Sequence, residues 1–344
     1  MARRSAHGRA PVTISHVAEA SGVSRATVSR VVNGNASVKP EIAERVRSEI
    51  ARLGYEPSRV ARSLSLGRTS TVGMIVPDLG NPTFQSILHG VNQAAARAGY
   101  RVLVADSGES GEEEPVIVED LRRRTDAVLL CSPRMGAESL DPVVQRAVPA
   151  VVINRDEPVP APRVVVDYAA GIVALGRHLV DHGHRRILHL DGPAGSNAQA
   201  ARAVGLARLA HLYPDLVILR EPCGATIAAG EAAYDTARGS GATAIIGFND
   251  LVALGLMGRA SEHGWRVPEE VSIAGFDDIP FARLARPGLT TVHVALEAVG
   301  EAAWDALAHQ LGDAVGADLR SFTPVLVVRA STGPAPSLGH TTLR

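Results

Sequence analysis

Between Val12 and Asn33 the chain reads VTISHVAEASGVSRATVSRVVN, with apolar residues recurring at steps of three and four. Ile14, Val17 and Ala18 share one face of a short helix, and Val28, Val31 and Val32 share one face of a second. Thr13 is placed to cap the first helix and Ser24 the second, while Gly22 supplies the left-handed residue that ends the first. A third helix is predicted from about Pro40 to Leu53, with Ile42, Val46, Ile50 and Leu53 as its stripe and Gly54 as its stop.

Beyond Thr71 the grammar changes. TVGMIVP, RVLVAD, AVLLC and AVVIN are unbroken apolar runs, interleaved with helices over about Thr83–Ala98 and Glu113–Arg123. A second series follows. It holds RILHLDGP, a helix across Gln199–Leu209, LVILR, a helix around Ala228–Ala237, TAIIGFND, a helix over Leu251–His263, and VSIAGFDD. LTTVHV, a helix over Glu297–Leu311 and the strand PVLVVR close the pattern. Continuous apolar strands alternating with helices predict parallel sheets covered on both faces, and two such series predict two lobes. A chain of 344 residues has room for two or three domains.

The outward face of the second short helix changes the picture. Arg25, Ala26, Ser29 and Arg30 present guanidinium groups and short side chains to solvent. A plain helical hairpin has no need of such a face, whereas a helix-turn-helix unit enters the major groove with one. Charge agrees with this reading. Residues 1–68 carry twelve Lys and Arg against five Asp and Glu, and the remainder carries 23 against 31. A basic head on an acidic body implies that only the head meets a polyanion.

Other classes find little support. Cys131 and Cys223 fit no metal-ligand spacing and are expected as buried small apolar residues in a reducing compartment. MARRSAHGRAP has arginines with no apolar run behind them, and no segment approaches ~18 uninterrupted apolar residues, so a cytoplasmic protein without a membrane span is expected. No G-x-G-x-x-G follows a strand, no P-loop is present, and no nucleophile elbow supports a Ser/His/Asp set. The expectation is therefore no enzyme, no catalytic residue, no cofactor and no metal. Asp181-His182-Gly183-His184 is read as a helix-to-strand turn rather than a metal cluster.

The stretch Tyr55-Glu56-Pro57-Ser58-Arg59-Val60-Ala61-Arg62-Ser63-Leu64, together with VSRATVSRVVN, resembles the lactose-repressor (LacI/GalR) family of bacterial transcription regulators, and the likeness runs from Val12 to about Thr332. The resemblance implies an all-α helix-turn-helix domain over 1–56, a hinge helix and linker over 57–69, and a two-lobed α/β domain like the periplasmic binding proteins over 70–334. Its N-lobe would span about 70–167 and 293–323, its C-lobe about 168–292 and 324–334, and 335–344 would be a flexible tail. It also implies a homodimer on pseudo-palindromic double-stranded operator DNA. Thr13, Ser24, Arg25, Ala26, Thr27, Ser29, Arg30 and Asn33 would contact the DNA from the head, and Ser58, Ala61, Arg62 and Leu64 from the hinge, with Leu64 wedged in the minor groove. His16 and Lys39 depart from the family pattern in the head.

Ligands of open α/β sheets sit beyond the carboxyl ends of strands. The family's effector contacts carry over onto such places: Asp78, Asn81 and Phe84 after the first strand, Asn154 and Arg155 after the fourth, then Arg202, Asn249 and Asp277. Val294 stands where some sugar-responsive members carry Gln. The implied function is a repressor controlled by a small carbohydrate-type effector. A nucleoside effector or an activator role is the alternative. A cytoplasmic sugar-binding protein or sugar-acting enzyme is a remoter one, which residues 12–66 disfavour.

Overall fold

The computed structural model describes residues 12–32, 37–55, 68–312 and 319–336. The chain divides into two compact units after Ser70. In the first, three helices, α1 (Ile14–Ser21), α2 (Arg25–Val32) and α3 (Pro40–Leu53), pack on a small core of Val17, Ala18, Val28, Val31, Ala43, Val46 and Tyr55. Gly22 and Gly54 both adopt φ +64 and end α1 and α3 where the sequence places the stops. Ser24 Oγ accepts the Thr27 N–H at 3.2 Å. His16 takes part in the opposite cap, its Nδ1 accepting the Thr13 N–H at 3.3 Å. Lys39 precedes α3 with no side-chain cap bond.

The second unit carries two parallel sheets. The larger has the order β11-β5-β4-β3-β1-β2, built from β1 (Thr71–Val76), β2 (Arg101–Asp106), β3 (Ala127–Cys131), β4 (Ala150–Ile153), β5 (Arg163–Val166) and β11 (Leu319–Phe322). The smaller has the order β7-β6-β8-β9, from β6 (Arg186–Asp191), β7 (Val217–Pro222), β8 (Ala244–Gly247) and β9 (Ser272–Ala274). Burial explains the composition. Central strands β3, β4 and β8 are buried at every position, whereas edge strands β2 and β7 are partly exposed. An antiparallel pair, β10 (Thr291–His293) with β12 (Val325–Val327), lies among the segments that carry the chain between sheets.

The covering helices are α4 (Pro82–Arg97), α5 (Glu114–Arg122), α6 (Ala137–Ala147), α7 (Tyr168–Asp181), α8 (Asn197–Leu212), α9 (Ile227–Ala232), α10 (Tyr234–Gly239), α11 (Asp250–Glu262) and α12 (Leu296–Leu311). Helices α4 and α12 cross at two glycines. A Cβ on Gly90 would lie 2.1 Å from the Glu297 carbonyl oxygen, and one on Gly300 would lie 2.1 Å from that of Ile87. Only glycine allows backbones so close.

The single helix expected around Ala228–Ala237 is instead two, α9 and α10, meeting at Ala233. The break turns the Tyr234 ring onto Trp265 and His263, at 5.8 and 4.7 Å between ring centres. Helix α6 and strands β5 and β11 have no counterpart in the pattern read from sequence; β11 is Leu-Arg-Ser-Phe, a polar edge strand that exists by pairing with β5. Cys131 is buried as expected, but Cys223 is only half-buried. No helix among the described residues is long and apolar enough to cross a membrane.

Candidate functional site

Strand ends of the two sheets converge on a narrow, partly open cleft with about 30 Å³ of room, enough for a single water. Its walls on the larger sheet's side are Asn81, Thr83 and Phe84 after β1, Glu109 after β2, and Ser132 and Arg134 after β3. On the smaller sheet's side they are Ser196 and Arg202 after β6, Phe248 after β8 and Asp277 after β9, with Tyr168 opening α7.

Arg202 dominates the site. Its side chain is 2 % exposed, and its Cζ lies 4.2, 4.4 and 4.5 Å from the ring centres of Phe276, Phe248 and Tyr168. Such a cage suits a flat delocalised cation. The Nη2 atom is 3.6 Å from Asp277 Oδ1, too long for a hydrogen bond, and Nε and Nη1 have no hydrogen-bond partner among the described residues. Burial pulls the Arg202 pKa below its usual range, opposed by the Asp277 charge. Burial pushes Asp277 up to about 6, opposed by the Arg202 charge and the Thr83 hydroxyl. Desolvation therefore outweighs the attraction for both partners, as expected for a buried pair in poor contact.

Thr83 Oγ1 donates to Asp277 Oδ2 at 2.8 Å, so a helix of the larger sheet's lobe is tied to a loop of the other. Asp277 reaches this position with φ +104, held by its N–H to the Val292 carbonyl at 2.9 Å. Beneath it Asp250 accepts from Thr291 Oγ1 and from the Ile279 N–H; burial, then the Asp277 charge, raises its pKa well above the carboxylate range.

Of the sequence candidates, the structure brings Asn81, Phe84, Arg202 and Asp277 to the cavity wall and does not bring Asp78, Asn154, Arg155 or Asn249 there. Each of the latter has other work. Asp78 Oδ1 accepts the Gly80 N–H at 2.7 Å. Asn154, at φ +57, donates from Nδ2 to Ser132 Oγ at 3.1 Å. Arg155 Nη1 donates to the Met135 carbonyl at 3.2 Å, and its Nε lies 2.8 Å from Glu157 Oε2. Asn249 caps α11 through the Val252 N–H at 3.0 Å and donates to the Ala225 carbonyl at 2.9 Å. Asn81 also caps a helix, accepting the Thr83 N–H at 3.0 Å.

Sequence reasoning missed Glu109, Ser132, Arg134, Tyr168 and Phe248 as wall residues. The Arg134 guanidinium holds Glu109 with Nε and, at 3.0 Å, with Nη2, and its loop is fixed because buried Glu114 accepts both the Arg134 and Met135 N–H groups. Ser132-Pro133-Arg134 follows β3, so the strand-end position that the carried-over candidates share was a signal for these residues as well.

In the head, Thr13, Ser24, Arg25, Ala26 and Arg30 are exposed and Thr27 and Ser29 half-buried, while Val28 and Val31 face the core. Asn33, Ser58, Ala61, Arg62 and Leu64 lie outside the described residues. The histidine turn is structural: His184, with no exposure, pairs with Thr243 Oγ1 at 2.8 Å, Ser272 Oγ at 3.0 Å and the Gly333 carbonyl at 3.1 Å.

Comparison with known proteins bears on both units. Residues 13–58 match the family described as bacterial regulatory proteins, lacI family, and residues 177–332 match the periplasmic binding protein-like domain. The chain is 31 % identical over 310 residues to an HTH-type transcriptional repressor PurR of Vibrio atlanticus, covering 88 % of this chain and 92 % of that one. It is similar to the lac repressor dimer bound to operator and the anti-inducer ONPF, with a TM-score of 0.85 and 26 % identity, covering 94 % of this chain and all of that one. The transcriptional regulator CelR–cellobiose complex matches at a TM-score of 0.67 and 28 % identity, over 93 % of this chain and 99 % of that one.

Proposed function

From a chain that belongs to the lacI family of bacterial regulatory proteins, we propose a repressor whose effector is a small polyhydroxylated molecule seated against Arg202. The family assignment makes it a dimeric, effector-controlled transcriptional regulator acting on operator DNA. The observation that carries the effector reading is the buried Arg202 guanidinium with Nε and Nη1 unpartnered. A buried donor without an acceptor costs ~1–3 kcal/mol, and hydroxyl or carbonyl oxygens of a ligand relieve that cost. Asp277 and the Asn81 amide supply acceptors, and Phe84, Tyr168 and Phe248 supply flat apolar faces for a sugar ring. A relative's complex with cellobiose supports a carbohydrate. Those same rings favour a nucleoside as the second reading.

The space in the cleft is too small for a monosaccharide, so the effector enters with the lobes apart and they close over it. On the DNA side, Arg25, Ala26, Ser29 and Arg30 are assigned to base and phosphate contacts, with Thr13, Ser24 and Thr27 around them, and Leu64 of the hinge is assigned the minor-groove wedge. Effector and operator are then coupled reciprocally, each changing the other's affinity by one factor.

A thermal-shift screen of the full chain against sugars and nucleosides tests the effector reading, because a cleft ligand stabilises by mass action. The ligand found should release a selected operator in gel shifts, and Arg202→Ala should abolish that response. A variant still responding at the wild-type concentration would place the ligand elsewhere. Leu64→Ala should reduce DNA bending in a FRET assay; unchanged bending overturns the wedge.

A further inference from the structure

The loop after β6 meets the opposite lobe at a second place, away from the Thr83–Asp277 bond. Asn197, the first residue of α8, donates from Nδ2 to Glu157 Oε2 at 2.9 Å. Glu157 lies between β4 and β5 of the larger sheet, and Asn197 follows β6 of the smaller, so this bond spans the two lobes. The carboxylate is not free to drift. Arg155 Nε lies 2.8 Å from the same Oε2, a charge contact without hydrogen-bond alignment, and Arg155 is itself buried and anchored through Nη1 to the Met135 carbonyl. Two residues before Asn197, a Cβ on Gly195 would make ordinary van der Waals contact with the Arg134 carbonyl oxygen at 3.6 Å.

We propose that Arg155, Glu157 and Asn197 form a latch that holds the lobes closed, with Arg155 as the positioning residue that aims Glu157 at Asn197. The assignment reaches beyond the effector reading and needs no ligand, so the two stand or fall separately. Glu157 is itself half-exposed, and three features set the bond apart from an isolated surface ion pair. Its donor and acceptor sit on different lobes. Its carboxylate is pre-aimed by a guanidinium that is 6 % exposed. And its donor stands one residue from Ser196, which lines the cavity, so opening the latch moves the cavity wall. The hydrogen bond from Asn197 and the charge of Arg155 outweigh desolvation and hold the Glu157 carboxyl below its usual range.

The test is hydrogen exchange with mass readout on the full chain without ligand. Asn197→Asp sets two carboxylates face to face, while an acid at a helix N-terminus leaves α8 intact. Exchange should rise about ten-fold in the facing segments 132–136 and 193–199 together, the size of one lost charge-assisted hydrogen bond. The double variant Asn197→Asp/Glu157→Gln exchanges donor and acceptor and should restore wild-type exchange in both. Arg155→Met should loosen the same two segments. The proposal is overturned if Asn197→Asp changes only its own segment, if the double variant fails to restore exchange, or if Arg155→Met leaves segment 193–199 unchanged.

Discussion

The head and the cleft solve opposite problems. In the head the core takes Val17, Val28, Val31 and Val46, and Arg25, Ala26 and Arg30, assigned to DNA, are left facing solvent. In the cleft the residues assigned to the effector are themselves buried, Arg202 at 2 % and Asp277 at 5 % exposure, and they fill space between aromatic rings. Reading and folding are therefore separable in the first region and entangled in the second. A buried charge pair that is broken on one side leaves the other uncompensated; an exposed guanidinium that is removed leaves nothing behind.

The sharpest way to break this comparison is Arg202→Ala. It should lower unfolding stability by about 3 kcal/mol, because Asp277 loses its counter-charge and three rings lose what they enclose. Arg202→Met, which keeps the packing volume, should lose less. Urea unfolding measures both, and an Arg202→Ala chain as stable as wild type would mean that the cleft is as separable as the head.

The entanglement also has a pH signature. Burial raises Asp277 from 3.8 to about 6, so ionising it costs more in the folded chain than in the unfolded one. Its contribution favours folding at low pH and declines as pH rises through that window. Asp250, also raised, acts with the same sign, while half-buried His178 and buried His184 and His189, all lowered, act against it. The comparison with Asp277→Asn isolates the group: between pH 4 and pH 6 wild type should lose stability relative to the variant. Parallel melting curves of the two across that range would remove the assignment.

For the head, Arg25→Ala and Arg30→Ala should each weaken operator binding by ~1–3 kcal/mol with an unchanged melting temperature. Gel shifts and thermal melts of the same preparations decide it; a fall in melting temperature comparable to that of Arg202→Ala would erase the distinction. The smallest effect tests the cap that the head lacks. Lys39 makes no side-chain cap bond to α3, and Lys39→Ser should add ~1 kcal/mol of stability by urea unfolding without touching operator affinity.

The same contrast explains what was legible. The head's helices and their glycine stops follow from spacing within eight to fourteen residues, and they stand where the sequence puts them. The alternation of apolar strands and helices in the body was equally plain. The family resemblance, however, selected too broadly at the cleft. It chose Arg202 and Asp277, which line the cavity, and also Asn154, Arg155 and Asn249, which turn aside to hold loops and a helix end. It passed over Arg134, although Arg134 stands at a strand end too.

By itself the sequence determined the class of most elements, the basic head and the two-lobed plan, because these depend on local periodicity and on charge summed over a segment. Only the tertiary structure decided which strand-end side chains face the space between the lobes. That choice turns on single backbone angles, φ +57 at Asn154 and φ +104 at Asp277. It turns also on partners far away in sequence, such as Thr83 for Asp277, 194 positions apart, and Asn197 for Glu157, 40 apart. Residue spacing carries information only over the range in which the chain's own geometry is fixed, and these contacts form only once the sheets have assembled.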